Sequence, residues 1–193
     1  MGDPSPTRCA IFGGSFDPIH RGHLAMAQLA IGEVSLDRLI FMPCFVSPFK
    51  TGTIASGESR ETMIRLALEE VTIPEADVSD YEISRSQPSY SWETASHFHE
   101  QEPMVSWYWI LGTDQWESIE RWAEPEKLRS LLHFIVLTRH GDKVAGRPGW
   151  RHTAVEFSHP ASSTAIRKDF EARREWMTPS VFDYCQSQEL YSG

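Results

Sequence analysis

The sequence has only three cysteines in 193 residues, Cys9, Cys44 and Cys185, far apart and with no C-x-x-C pair. An odd, scattered set offers no disulfide framework and reads as reduced thiols in a cytoplasmic protein. Their expected role is that of small buried apolar side chains, not nucleophiles. No apolar run approaches the roughly 20 residues needed to span a bilayer, so no membrane partner is expected. Met1 to Arg8 has no apolar stretch behind it and does not read as a signal peptide; residues 1–7 read as a short disordered lead-in. Positive charge is also scarce, with 18 Lys and Arg against 27 Asp and Glu and a net charge of −9. Such a chain has no general field for nucleic acid, and none is expected as a partner. An anionic ligand must instead meet a local cluster of donors.

What is present is an ordinary globular balance, 40% apolar and 23% charged, in a chain long enough to bury a core unaided. Cys9 to Phe12 is a short apolar run ending at Gly13-Gly14, a buried strand entering a tight turn. Leu24 to Ile31 reads as the helix behind it, and Arg38 to Pro43 as a second strand. Thr51 to Gly57 reads as a mobile loop. Glu58 to Glu70 shows apolar residues at helical spacing, with Ser56 or Ser59 as cap. Val78 to Arg85 reads as an exposed or edge strand and Ser91 to Glu100 as a helix. Val105 to Leu111 is strongly β-prone, a central strand that ends at Gly112. His133 to Arg139 and Ala154 to Phe157 are two more strands. Ser162 to Arg173 and Pro179 to Gln188 read as closing helices.

Alternating strands and helices with short connections predict an α/β fold, a mainly parallel sheet covered on both faces. With no repeat or linker, residues 1–193 read as one domain. In such sheets ligands bind at the carboxyl ends of the strands. The segments Gly13–His23, Pro43–Lys50, Gly112–Asp114 and Arg139–Asp142 should converge there.

The first of these runs Gly-Gly-Ser-Phe-Asp-Pro-Ile-His-Arg-Gly-His, from Gly13 to His23. Two glycines after a strand let backbone N–H groups approach a ligand. His20 and His23 lie three apart at a helix start, so both imidazoles share one face near the positive end of the helix. A zinc site needs further ligands at metal spacing, and none is near. A structural pair is the plainer alternative, and a Walker A loop is excluded because no G-K-[ST] follows. An anion site is the favoured reading. A second cluster, Ser162-Ser163-Thr164-Ala165-Ile166-Arg167, is equally compatible with a plain helix cap and with a polyphosphate site, where hydroxyls and a guanidinium meet at one helix end.

These segments resemble the nucleotidyltransferases that carry an H-x-G-H signature, in the form G-[ST]-F-D-P-x-H-x-G-H. ASSTAIR is similar to their I-S-S-T-x-[IV]-R phosphate element, with Ala161 where Ile is usual. Glu82-x-x-Arg85, Pro88-Ser89-Tyr90-Ser91, Gly112-Thr113-Asp114 and Trp122 resemble the pattern of the nicotinate mononucleotide adenylyltransferases, as does the closing Leu190-Tyr191. The phosphopantetheine adenylyltransferases share both phosphate elements but are shorter and lack the middle ones.

The resemblance implies a Rossmann-like fold and transfer of the adenylyl group of ATP to nicotinate mononucleotide. It implies His20, His23, Lys50 and Arg167 as catalytic residues. Gly13, Gly14, Ser15, Phe16, Gly112, Asp114, Ser163 and Thr164 would bind ATP. Tyr90, Ser91 and Trp122 would bind the pyridine nucleotide, although with seven tryptophans a packing role for Trp122 is a serious alternative. Mg²⁺ would bridge phosphates largely through water. A homo-oligomer remains open. One departure matters: Phe49 stands before Lys50 where the family has His, and Phe49 donates no hydrogen bond. It is the only support for a rival reading as a nucleotide-binding protein without catalysis. The same chemistry on nicotinamide mononucleotide or phosphopantetheine is the nearer rival.

Overall fold

A computed structural model describes residues 6–46, 53–138 and 144–191. Six strands, β1 (Arg8–Gly14), β2 (Arg38–Pro43), β3 (Ala76–Val78), β4 (Ser106–Gly112), β5 (His133–Thr138) and β6 (His152–Glu156), form one sheet in the order β3-β2-β1-β4-β5-β6. Every pairing is parallel. This is the order of dinucleotide-binding sheets, in which the direction of winding reverses between β1 and β4 and opens a crevice at their carboxyl ends.

The strands are continuous apolar runs because both faces are covered. Successive residues alternate between two cores: Ala10, Phe12, Leu39, Phe41 and Ile135 face one, and Cys9, Ile11, Ile40, Met42 and Phe134 the other. The first core is closed by α1 (Arg21–Val34), α2 (Gly57–Glu70), α7 (Ser163–Lys168) and α8 (Pro179–Ser187). The second is closed by α4 (Ser91–Gln101), α5 (Thr113–Ser118) and α6 (Pro125–Leu131), and it gathers Trp107, Trp109, Trp116, Trp122 and Trp150. Burial pushes the Cys185 thiol up to about 12 and raises that of Cys9, so neither is a ready nucleophile. Among the described residues no helix is long and apolar enough to cross a membrane.

Two expectations are corrected. Val78 to Arg85 is not a strand: β3 ends at Val78, and Tyr81–Ser84 forms the short helix α3. Its packing overrides the β-prone composition. The Glu82 carboxylate accepts a hydrogen bond from Thr94 at 2.7 Å, and Ile83 fits against Gly57, where an added Cβ would lie 2.6 Å from its Cγ2. The helix expected from Ser162 to Arg173 stops at Lys168, because Asp169 is extended (φ −153°, ψ 72°) and turns Phe170 inward to stack on Phe182. Residues Glu171–Trp176 continue as a 3-10 helix. The helices α5 and α6 were not expected, although Pro125 at the first helical position marks one of them.

Candidate active site

The turn between β1 and α1 leaves the sheet beside the reversal point. Gly13 and Gly14 are still in register with Met42 and Pro43 of β2. Their missing side chains make room for the protein itself: an added Cβ would lie 2.9 Å from Trp109 at Gly13 and 2.9 Å from Phe16 at Gly14. Phe16 is buried with φ 48°, a left-handed conformation that costs an aromatic residue about 1–2 kcal/mol. Edge contacts to Phe12, Phe41 and His23 hold it there.

His20 is the N-cap of α1 and His23 its third residue. The rings stack at 3.7 Å between centroids, 17° from parallel. Each is bound to the other's backbone: His23 N donates to His20 Nδ1 and His20 N donates to His23 Nδ1, both at 3.3 Å. A backbone N–H is always a donor, so both Nδ1 atoms accept, and each neutral ring carries its proton on Nε2. Two parallel Nε2–H donors result. Burial, with a smaller contribution from His159, lowers the pKa of His20 to about 3. The glycine between the histidines is needed, because a Cβ at Gly22 would lie 2.9 Å from His20 Nδ1 and 3.1 Å from His159 Nδ1.

The α7 segment docks on the same turn. Ser163 Oγ donates to Pro18 O at 2.9 Å, and Arg167 donates to Asp17 O at 2.6 Å, with the Asp17 carboxylate 4.0 Å away. Ser162 caps α7 through Ala165 N, and Thr164 is exposed in its first turn. His20, His23, Ser163 and Arg167 thus share one turn, 140 or more residues of chain apart for the two pairs. Gly112 ends β4, with no described residue within 4 Å of where its Cβ would be, and Asp114 is exposed two residues on.

Tyr90 and Ser91 begin α4, and Tyr90 is 39% exposed. They adjoin the segment after β2 through two hydrogen bonds, Phe45 N to Ser89 Oγ and Ser89 N to Val46 O, both 3.1 Å. Trp122 is packed in the second core at 8% exposure. Phe49, Lys50, Thr51 and Arg139–Asp142 lie outside the described residues, as does the lead-in up to Ser5.

Three residues that sequence reasoning passed over hold this arrangement. The Asp17 carboxylate accepts from Ile54 N (2.9 Å), Ala55 N (3.0 Å) and the Tyr191 hydroxyl (2.6 Å). Burial and the neighbouring Asp17 raise the Tyr191 pKa, keeping that hydroxyl a donor. Arg60, 1% exposed, spans three backbone carbonyls. A charged residue amid the helical apolar pattern of Glu58 to Glu70 was the available signal for Arg60. Asp17 and Tyr191 carried none outside the motifs. Among the described residues no group of three His, Cys, Asp or Glu can hold a metal ion. Asp17, the carboxylate nearest the histidines in sequence, has both oxygens occupied, so these side chains form no metal cage.

The Cytidylyltransferase-like family model matches residues 11–169. A probable nicotinate-nucleotide adenylyltransferase of Methylacidiphilum infernorum is 35% identical over 195 residues, covering 95% of this chain and 92% of the relative. Another, from Opitutus terrae, is 38% identical over 165 residues, covering 83% and 84%. The solved Plasmodium falciparum nicotinic acid mononucleotide adenylyltransferase complexed with APC superposes with a TM-score of 0.79 at 20% identity, over 96% of this chain and 98% of that one. The reversed parallel sheet, the paired histidines and relatives alike over nearly their whole length agree: this chain belongs to the nicotinate-nucleotide adenylyltransferase family.

Proposed function

We propose that this chain transfers the adenylyl group of ATP to nicotinate mononucleotide, releasing pyrophosphate and forming nicotinate adenine dinucleotide. The observation that carries the reading is the stacked histidine pair, whose two Nε2–H groups are held parallel by reciprocal backbone bonds beside the crevice. Preorganised donors of this kind act on charge that develops in a transition state.

An oxygen of the acceptor's phosphate attacks the α-phosphorus of ATP, and the bond from that phosphorus to the bridging oxygen breaks. The attacking oxygen is already ionised near neutral pH, so no general base is needed. Catalysis is positioning and charge stabilisation. In this reading His20 and His23 donate to the α- and β-phosphate oxygens. Ser163, Thr164 and Arg167 hold the β- and γ-phosphates, with Lys50 on the leaving pyrophosphate. Gly13, Gly14, Ser15 and Phe16 shape the floor beneath the phosphates. The strand end at Gly112 admits the nucleoside, whose ribose hydroxyls Asp114 accepts. Backbone N–H groups at Tyr90 and Ser91 meet the ring carboxylate, and Trp122 offers a face to the ring. Mg²⁺ would come bound to ATP, largely through water, and would supply charge neutralisation at the phosphates. Free thiols and an ATP substrate support a cytoplasmic location.

Pyrophosphate release with MgATP and each of nicotinate mononucleotide, nicotinamide mononucleotide and phosphopantetheine tests the reading. Preference for the first is expected, because an amide does not replace a carboxylate where donors line the pocket. Preference for either of the others would overturn the acceptor assignment. In the same assay His23→Ala should lower kcat by about 10²–10³, the usual worth of one preorganised donor. Near-normal turnover would remove the histidines from the mechanism.

A further inference from the structure

Arg60 lies in the first turn of α2 and is among the largest side chains that are fully buried. Its Nη1 donates to Ser15 O at 2.8 Å, its Nε to Ala55 O at 3.3 Å and its Nη2 to Phe45 O at 3.4 Å. No carboxylate among the described residues forms an ion pair with it. A buried cation held only by carbonyl dipoles is costly, and an apolar side chain of similar volume would fill the space at less expense. The three carbonyls belong to three different segments, and that is what a guanidinium fork can join and an apolar side chain cannot.

Ser15 lies in the turn that carries the histidines, two residues before Asp17. Phe45 lies in the segment that follows β2. From Phe45 the connection continues outward: Phe45 N donates to Ser89 Oγ, and Ser89 N donates to Val46 O. Val46 also bridges Pro88. Below this strip sits Glu82, buried, with its pKa raised by burial and opposed by hydrogen bonds from Thr94 and Ser89. One run of hydrogen bonds therefore links the histidine turn to the start of α4; at its inner end Cys44 N donates to Gly14 O at 3.0 Å where the strands part, and one residue further on the Arg60 guanidinium joins Ser15 O to Phe45 O.

We propose that Arg60 is a positioning residue that sets the separation between the phosphate turn at Ser15 and the acceptor strip formed by Phe45, Val46 and Pro88–Ser91. This rests on the reading above for what occupies each side. In-line attack needs the two sides in register, and a displacement of about 1 Å can cost roughly a hundredfold in rate. Arg60 touches neither substrate, so its removal should act on turnover and on the strip, not on the affinity of ATP for its own half.

The experiment compares wild type, Arg60→Met, Arg60→Lys and Ser89→Ala in steady-state turnover with MgATP and nicotinate mononucleotide. Equilibrium ATP binding and amide hydrogen exchange complete the set. Arg60→Met should lower kcat by about tenfold to a hundredfold while ATP affinity changes less than about threefold. Exchange should quicken at the Phe45 and Ser89 amides and stay slow in β1 and β4. Arg60→Lys keeps the charge but not the fork, and should fall between. Ser89→Ala breaks the strip at its far end and leaves Arg60 and its three carbonyls in place, so it should reproduce the same split at smaller size, and it carries the test if Arg60→Met fails to fold. Wild-type kcat in Arg60→Met would overturn the proposal, as would kcat and ATP affinity falling together. Unchanged exchange at Phe45 and Ser89 would overturn it whatever the acceptor proves to be. A wild-type protein silent toward nicotinate mononucleotide faults the proposed function instead, and leaves the exchange result to decide on Arg60.

Discussion

At the carboxyl end of β1 the chain is packed against itself, whereas at the carboxyl end of β4 it leaves room. Gly13, Gly14 and Gly22 each stand where a Cβ would lie 2.9 Å from one of the protein's own side chains. Around them Phe16, Asp17 and His20 are nearly fully buried, and α7 is tied down on the same turn. Gly112 has no described residue within 4 Å of its Cβ position, and its N–H donates to Gln115 Oε1 at 3.3 Å. Glycine has opposite uses in the two places. In the first it lets protein reach protein, and so fixes donors before any ligand arrives. In the second it leaves the strand end without a side chain, on the side that the proposed function gives to the nucleoside. Preorganisation on one side and vacancy on the other suit a site that must orient phosphates while admitting a nucleoside.

The largest expected effect concerns acid. His20 binds its proton less well when folded, near pH 3, than at the ordinary imidazole value of 6.5. The unfolded chain therefore holds more protons between those values. Stability is fully present above pH 6.5 and falls, on the order of a few kcal/mol, as pH drops toward 3. Urea melts at pH 7.5 and 5 should show this, and His20→Asn should flatten the difference. An equally steep loss in His20→Asn would show that the packed end of β1 does not hold its histidine neutral.

Next comes Gly22→Ala, which must displace His20 or His159. It should cost about 1–3 kcal/mol of stability, as overpacking does, and reduce turnover with it. A thermal melt and one rate assay check both. The smallest change in stability belongs to Gly112→Ala. The backbone there, at φ −89°, accepts alanine, so stability should move by less than about 0.5 kcal/mol. The methyl group would nonetheless enter the crevice and weaken ATP binding about tenfold, or about 1.4 kcal/mol. If Gly112→Ala lowers the melting temperature as Gly22→Ala does, the contrast between the two strand ends fails.

Much of the packed end was legible beforehand because its residues are contiguous. A strand, two glycines and two histidines at helical spacing sit within Cys9–His23, and local geometry alone brings the imidazoles together. The four central strands were legible for a similar reason, since a strand buried on both faces is a plain apolar run. Less legible was anything whose partner lies far along the chain. Val78 to Arg85 looked like a strand until Glu82 met Thr94 and Ile83 met Gly57. The helix after Ser162 looked longer until Phe170 found Phe182. The place of Trp122 in a pattern made it a candidate platform, and its setting, 8% exposed at the border of a tryptophan-rich core, came only with the fold.

The amino-acid sequence by itself determined the central strands with the long helices α1, α2 and α4, the histidine pair with its spacing, and the family. Those depend on short-range periodicity and on residues that touch their near neighbours. Tertiary structure alone decided that Asp17 joins Tyr191 across 174 residues and that Arg167 reaches Asp17 across 150. It alone buried Arg60 under three carbonyls. A hydrogen bond between distant segments leaves no period in the chain. A buried charge declares its purpose only when the groups that surround it are in place.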